Sequence, residues 1–269
     1  MSGFSAAWLA LREPADHGSR SPSLTRAIAG VLPKNGEILV LDLAAGTGSN
    51  VRYLSPHLRR PQRWLLVDHD EALLARARND GDRTNVSIET RQADLASLNA
   101  PASRGLFEAR SLVTASALLD LVSDDWMRAL ASRCRDVQAV ALFALSYNGV
   151  IRCSPEDAED QHVFELVNEH QRTDKGFGPA LGPGASNSAE RWFSRLGYRV
   201  QRERSDWVVT SGLAELQREL IDGWARAAVE IAADHAAAIE AWRLRRLAHV
   251  AIRRSELRVG HEDLGAWLT

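Results

Sequence analysis

The chain has 269 residues, 45% hydrophobic and 25% charged, with a formal net charge of −2. That length allows one large domain or two small ones and buries about 70–75% of the unfolded surface, so no disulfide or metal staple is required. The composition excludes a disordered chain, and the near-neutral charge gives no field that favours nucleic acid or an anionic membrane. Cys134 and Cys153 have no metal-type spacing and read as reduced thiols of a cytoplasmic protein. The opening MSGFSAAWLALREP lacks the basic region of a signal peptide, and no apolar run approaches a membrane span.

In chain order, a helix starts within residues 5–11, and polar residues follow from Arg12 to Arg20. Ser23 caps a second helix that ends near Val31. Residues 38–43 form a short apolar run bearing an acid and ending before glycines, which reads as a buried parallel strand. A helix follows over 49–58, a second strand over 64–68, a helix over 71–79 and a third strand over 86–90. Residues 106–116 carry a fourth strand, 124–135 a helix opened by acids and 139–147 a fifth strand. Strands alternating with helical segments imply βαβ units, a parallel sheet and helices on both faces. Beyond Asn148 come a polar helical stretch over 155–172, a Gly/Pro-rich loop over 175–184, a helix over 188–196 and a sixth strand over 198–209. Leu213, Leu216, Leu220, Trp224, Ala227 and Ile231 recur at helical spacing. A second helix runs over 236–254, and 257–268 returns as a last strand.

The informative segment is Val40-Leu41-Asp42-Leu43-Ala44-Ala45-Gly46-Thr47-Gly48-Ser49-Asn50. Glycine tolerates the positive φ of a sharp strand-to-helix turn, and its missing side chain lets the backbone approach a ligand. Amides at the helix N-terminus then face the ligand's carboxylate, in the crevice where open α/β sheets bind ligands. Asp68 ends the second strand, where a carboxylate can accept two hydrogen bonds from a ribose diol. Asp94 follows the third strand in Ala93-Asp94-Leu95.

With Asp42, Ala44, Gly46 and Gly48 on an acid–x–small–x–Gly–x–Gly pattern, residues 36–148 resemble the class I S-adenosylmethionine-dependent methyltransferases. The resemblance implies a Rossmann-like, doubly wound, mostly parallel seven-stranded sheet, closed by the strands at 198–209 and 257–268. It implies S-adenosylmethionine as methyl donor, held by Asp42, Ala44, Gly46, Thr47, Gly48, Asp68, His69, Asp94, Leu95 and Thr114, with Asp94 near the adenine amino group. Arg20 or Arg12 would reach the methionine carboxylate. The implied organisation is an N-terminal helical cap over 1–32, a donor-binding core over 33–150, an acceptor-site insertion or lid over 151–188 and the end of the sheet over 189–269. Within the last, the helical pair 213–254 is added to the fold and either packs beside the sheet or joins two subunits as a homodimer contact. Two other readings stand beside this one. A nicotinamide-dependent oxidoreductase has the offset of Asp68 in its favour and Val51 at the third glycine position against it. A non-catalytic S-adenosylmethionine-binding regulator is the second.

The acceptor is expected to be a small molecule, methylated at oxygen or nitrogen. Ser111 to Asp120 contains no Asn/Asp-Pro-Pro-aromatic tetrapeptide of the kind nucleobase amino-methylating enzymes carry. Ser146-Tyr147-Asn148-Gly149 lacks the Asp-Asn pair of metal-assisted catechol-type enzymes. Asp120, Asp124 and Asp125 therefore predict no metal site, and the last two suit a helix's first turn. Tyr147, Asn148, Arg172, Lys175 and Phe177 are candidate acceptor contacts. His170 is the candidate general base, with a surface or capping histidine as the alternative. Trp8 and Trp207 are candidates to touch an aromatic acceptor, while Trp126, Trp192 and Trp224 read as packing.

Overall fold

A computed structural model describes residues 4–59, 61–78, 84–98 and 100–269. The first helix, α1 (Ala6–Ser19), is capped by Ser5 and runs on through Pro14. The polar stretch expected after a helix start is thus itself helical, and Arg12 and Asp16 pair across one turn of it. The cap of α2 (Pro22–Val31) is Ser21 rather than Ser23: its hydroxyl accepts from the Leu24 amide, and Pro22 takes the first helical position. Then come β1 (Ile38–Leu43), α3 (Ser49–Leu54), β2 (Gln62–Asp68), α4 (Glu71–Arg78) and β3 (Val86–Gln92). The expected end of the fourth helix at Asn79 lies outside the described residues. Leu106, expected in the fourth strand, belongs to α5 (Pro101–Phe107), where Pro101 sits in the first turn; β4 is only Leu112–Ser116. The chain continues through α6 (Asp124–Asp136), β5 (Val140–Ser154), α7 (Asp160–His170), α8 (Ala185–Arg195), β6 (Arg199–Arg204) and β7 (Trp207–Val209). It ends with α9 (Ala214–Ile231), α10 (Ala236–Ala251) and β8 (Glu256–Trp267).

The sheet runs β3-β2-β1-β4-β5-β8-β6, and β7 also pairs with β8. Strands β1 to β5 pair in parallel, whereas β8 is antiparallel to β5, β6 and β7. This is the expected doubly wound sheet with one change. The expected sixth strand is split, because the Ser205 amide donates to the His261 carbonyl and Asp206 accepts from the His261 amide, which turns the chain between β6 and β7.

Buried apolar residues form one cluster under α5, α6 and α8 and another under α2, α3 and α4 on the opposite face. Gly265 makes the second packing possible: a Cβ there would stand 2.8 Å from Ile28 and 2.9 Å from Leu24 of α2. A third cluster lies where β5, β7 and β8 extend past the parallel strands and meet α7, α9 and α10. There Phe164 packs edge-on against Trp224 and Trp242, and the Trp242 indole donates to Asp160 at 2.8 Å. No helix among the described residues is long and apolar enough to cross a membrane.

Candidate active site

The chain just past the parallel-paired parts of β1, β4 and β5 shares an unusual backbone. Ala44 (φ 52°), Ala117 (φ 53°) and Leu145 (φ 55°) all occupy the left-handed region, although none is glycine. Leu145 lies at a register shift between β5 and β8. Such conformations cost about 1–3 kcal/mol each and persist where surrounding contacts over-determine them, commonly at functional sites. Gly46 (φ 53°) and Gly48 (φ 82°) complete the turn after β1. A Cβ on Gly48 would stand 3.1 Å from Ala77 of α4, and one on Gly46 would stand 3.1 Å from Leu9 of α1. The turn is therefore covered closely by the N-terminal helix.

Behind the turn, buried side chains form a linked chain. Asp42 accepts from the Asn50 amide at 2.8 Å, which also donates to Thr114 at 3.0 Å. Thr114 in turn donates to the Leu142 carbonyl at 2.7 Å. Arg20 Nη1 donates to Asn50 Oδ1 at 2.9 Å, and its guanidinium lies 4.5 Å from the centre of the Tyr53 ring. Asp263 of β8 anchors the arginine at 3.5 Å while accepting from the Ser21 and Leu145 amides, both at 2.9 Å. Asp42 Oδ2 and Arg20 Nη2 are both buried without a hydrogen-bond partner among the described residues. Burial pushes the Asp42 carboxyl up to about 7, against the opposing pull of Asn50 and Arg20.

Asp68 faces the same turn. Its Oδ2 accepts from the Gly46 amide at 2.8 Å and its Oδ1 from the Asp70 amide at 3.0 Å, with His69 Nδ1 3.1 Å away. Asp94 is exposed and accepts from the Ala96 amide, while the Leu95 carbonyl accepts from the Trp126 indole at 2.6 Å. The Thr47 carbonyl accepts from Arg52 at 2.7 Å, and Arg52 is clasped by both oxygens of Glu13 on α1. His17 adds a contact at 3.1 Å to Ser49, so α1 is fastened across the glycine turn. Arg20, Asp42, Ala44, Gly46, Thr47, Gly48, Asp68 and Thr114 thus come together around one turn.

The residues expected on the acceptor side do not form one group. Tyr147 donates to Asn168 at 2.9 Å, and Asn168 donates to the Gly149 carbonyl. Asn148 accepts from the Val150 amide. Arg172 donates to the Asn168 carbonyl. Both ring nitrogens of His170 are engaged, one 2.9 Å from Glu230 of α9 and the other 3.2 Å from Lys175. Phe177 packs edge-on against Trp126, next to Leu95, in a loop tied to the exit of β4 by the Leu181 amide and the Val122 carbonyl. A different set is gathered past the end of β4: Asp120 in the turn after β4, Tyr147 midway along β5 and His261 midway along β8, with Trp207 4.9 Å from the His261 ring. Asn50, His261 and Asp263 carried no motif in the sequence. The one available sign was the period-two spacing of His261 and Asp263, which puts both on one face of a strand.

Residues 40–139 match the family model of a methyltransferase domain. No curated protein matches the chain significantly. Among solved structures, the chain is similar to the cyclopropane synthase MmaA2 of Mycobacterium tuberculosis, at 12% identity and a TM-score of 0.52, over 98% of this chain and 94% of that one. It is also similar to the YcgJ protein of Bacillus subtilis, at 16% identity and a TM-score of 0.50, over 93% of this chain and 100% of that one. At these identities the likeness is one of fold.

Proposed function

We propose that the chain, whose residues 40–139 match a methyltransferase domain, is a class I S-adenosylmethionine-dependent methyltransferase that moves the methyl group of S-adenosylmethionine onto oxygen or nitrogen of a small-molecule acceptor. The observation that carries this reading is the pair of buried groups, Asp42 Oδ2 and Arg20 Nη2, that lack partners among the described residues. A carboxylate and a guanidinium held through one asparagine suit the ammonium and carboxylate of a methionine moiety, each through a charge-assisted bond. Asp68 suits the ribose hydroxyls: each oxygen accepts one backbone N–H, and Oδ2 keeps a further lone pair. Asp94 and Leu95 mark the adenine end. Val51 at the third glycine position is fully buried, which suits this family better than a dinucleotide fold.

Bound in this site, the donor supplies a methyl group on a sulfonium with a good leaving group. The chain's own residues then have to align the acceptor and exclude water. Helix α1 serves the exclusion, with Leu9 over Gly46 and the Glu13–Arg52 pair as its fastening. The acceptor enters where β4 ends and β5 runs on past it. His170 holds α7 against α9 through Glu230.

Calorimetric titration tests the reading. S-adenosylhomocysteine binds with a micromolar Kd, about −8 kcal/mol. 5′-Methylthioadenosine, the same nucleoside without the amino-acid end, binds about tenfold more weakly or worse, since each charge-assisted bond contributes about 1.5–3 kcal/mol. No binding of S-adenosylhomocysteine overturns the function; equal binding of the two overturns the roles of Asp42 and Arg20.

A further inference from the structure

Polar groups buried without partners cost free energy, so native proteins keep few of them, and a concentration of them asks for a ligand. Beyond the Asp42–Arg20 pair, such atoms collect at one place. Asp120 Oδ1, Ser146 Oγ, His261 Nδ1 and the indole nitrogens of Trp8 and Trp207 are all buried without hydrogen-bond partners among the described residues. Asp120 is 8% exposed and His261 6%. They come from the turn after β4, from β5, from β8, from α1 and from β7.

The pieces are mutually placed by the sheet. Tyr147 and His261 are register partners on β5 and β8, with rings edge-to-face at 6.2 Å. Trp207 on β7 closes on the other side of His261. Trp8, one helical turn before Arg12 on α1, packs onto the apolar cluster that contains Leu145, Tyr147 and Trp207, as does Ala117. Two residues along β8 from His261, Asp263 anchors Arg20 and the Leu145 amide, so this pocket of groups adjoins the donor's amino-acid end.

The chemistry of the set is selective. Its open groups at the centre, a carboxylate oxygen and an imidazole nitrogen, accept a proton from a ligand. Its walls are aromatic. A fixed cation beside it is Arg12, whose guanidinium lies 4.9 Å from the centre of the Trp207 ring and is paired with Asp16. Arg12 acts on both Asp120 and His261. A positive group there disfavours a cationic amine and favours an oxygen that gains negative charge.

Resting on the methyltransferase reading above, we propose that this cluster is the acceptor site, that it takes an aromatic hydroxyl compound seated among Trp8, Tyr147 and Trp207, and that Asp120 is the base for its O-methylation, with His261 as the second hydrogen-bond acceptor. As the hydroxyl oxygen bonds to the methyl carbon, the carbon–sulfur bond breaks and sulfur keeps its electron pair. The hydroxyl proton goes to the Asp120 carboxylate and leaves to water when the site opens. The surroundings agree with the assignment. Burial pushes the Asp120 carboxyl up to about 6, opposed by Arg12 and by the backbone N–H groups of Asp120 and Tyr147, which leaves it ionised yet basic at neutral pH. Burial and Arg12 push His261 down to about 3, so its ring is neutral.

The test uses the whole chain saturated with S-adenosylhomocysteine and two probes of similar size, 4-fluorophenol and 4-fluorobenzylamine, followed by fluorine NMR. The expected result is that 4-fluorophenol binds and the amine binds at least tenfold more weakly. Asp120→Asn, which keeps the shape, weakens the phenol at least tenfold while S-adenosylhomocysteine affinity stays within threefold. Trp8→Leu, on the covering helix, weakens the phenol likewise and serves if Asp120→Asn does not fold. A protein that binds S-adenosylhomocysteine but not 4-fluorophenol, that prefers the amine, or whose folded variant binds the phenol unchanged overturns the acceptor assignment alone. A protein that binds no S-adenosylhomocysteine overturns the donor reading beneath it.

Discussion

The donor end of the site takes Asp42, Gly46, Gly48 and Asn50 from nine consecutive residues, whereas the acceptor end takes Trp8, Asp120, Tyr147, Trp207 and His261 from five separated elements. The contrast follows from what each end has to do. A nucleoside with an amino-acid tail is met largely by backbone and by a turn whose φ values are fixed locally. An acceptor is met by side chains, whose meeting depends on strand register and on how α1 lies across the sheet. The donor end is not wholly local, however. Arg20 follows α1 and is held from β8 by Asp263, so both ends share one cover.

Three changes sharpen that comparison or break it. The largest effect is expected from Gly46→Val. A β-branched residue at φ +53° is strained, and its Cβ would press on Leu9 at 3.1 Å. S-adenosylhomocysteine binding falls by more than about 100-fold, or about 2.7 kcal/mol. Retained micromolar binding would show that the turn is not the donor's seat. Next, Arg20→Met removes the guanidinium but leaves Asp263 its Ser21 and Leu145 amides. Loss of one charge-assisted bond, about 1.5–3 kcal/mol, lowers S-adenosylhomocysteine affinity about 10–150-fold. Affinity for 5′-methylthioadenosine stays within threefold, and an equal loss for both compounds would reassign Arg20 to a structural role.

The smallest effect concerns pH. Asp42 holds its proton up to about 7 in the folded chain, whereas an unfolded aspartate loses it near 3.9. Between those values the folded state binds more protons, so this group lowers stability as pH rises from about 4 to about 7, by at most about 1.4 kcal/mol per pH unit. Urea unfolding at pH 5 and pH 7 in wild type and Asp42→Asn isolates the effect, because His261 and the other titrating groups occur in both proteins. The variant's stability is expected to gain on wild type at pH 7 relative to pH 5. A constant difference between the two proteins at both values would mean that Asp42 ionises normally.

Much of the donor end was legible in the order of residues. An apolar strand bearing Asp42, a turn with Gly46 and Gly48 and an acid at the end of the next strand report local stereochemistry, which each short segment carries by itself. The alternation of strands and helices likewise specified a parallel, doubly wound sheet, and helical spacing exposed α9. Element boundaries were less legible where a tertiary contact competes. Tyr198 to Val209 reads as one strand until His261 turns the chain at Ser205 and Asp206, and Arg12 to Arg20 reads as a polar link until α1 finds partners in Arg52 and Ser49.

Only the tertiary structure decided which residues share the acceptor end. His170, with a titratable ring beside a Gly/Pro-rich loop, has the right chemistry in the sequence, but folding places Glu230 and Lys175 on its two nitrogens. Asp120 and His261 are more than a hundred residues apart and carry no motif between them. They come together because β8 runs antiparallel to β5 and sets His261 opposite Tyr147, two strands from the exit of β4. Periodicity and turn chemistry act over a few residues and fix each element. The pairing of distant strands is fixed by burial and register across the whole sheet, and the proposed acceptor chemistry rests on that pairing.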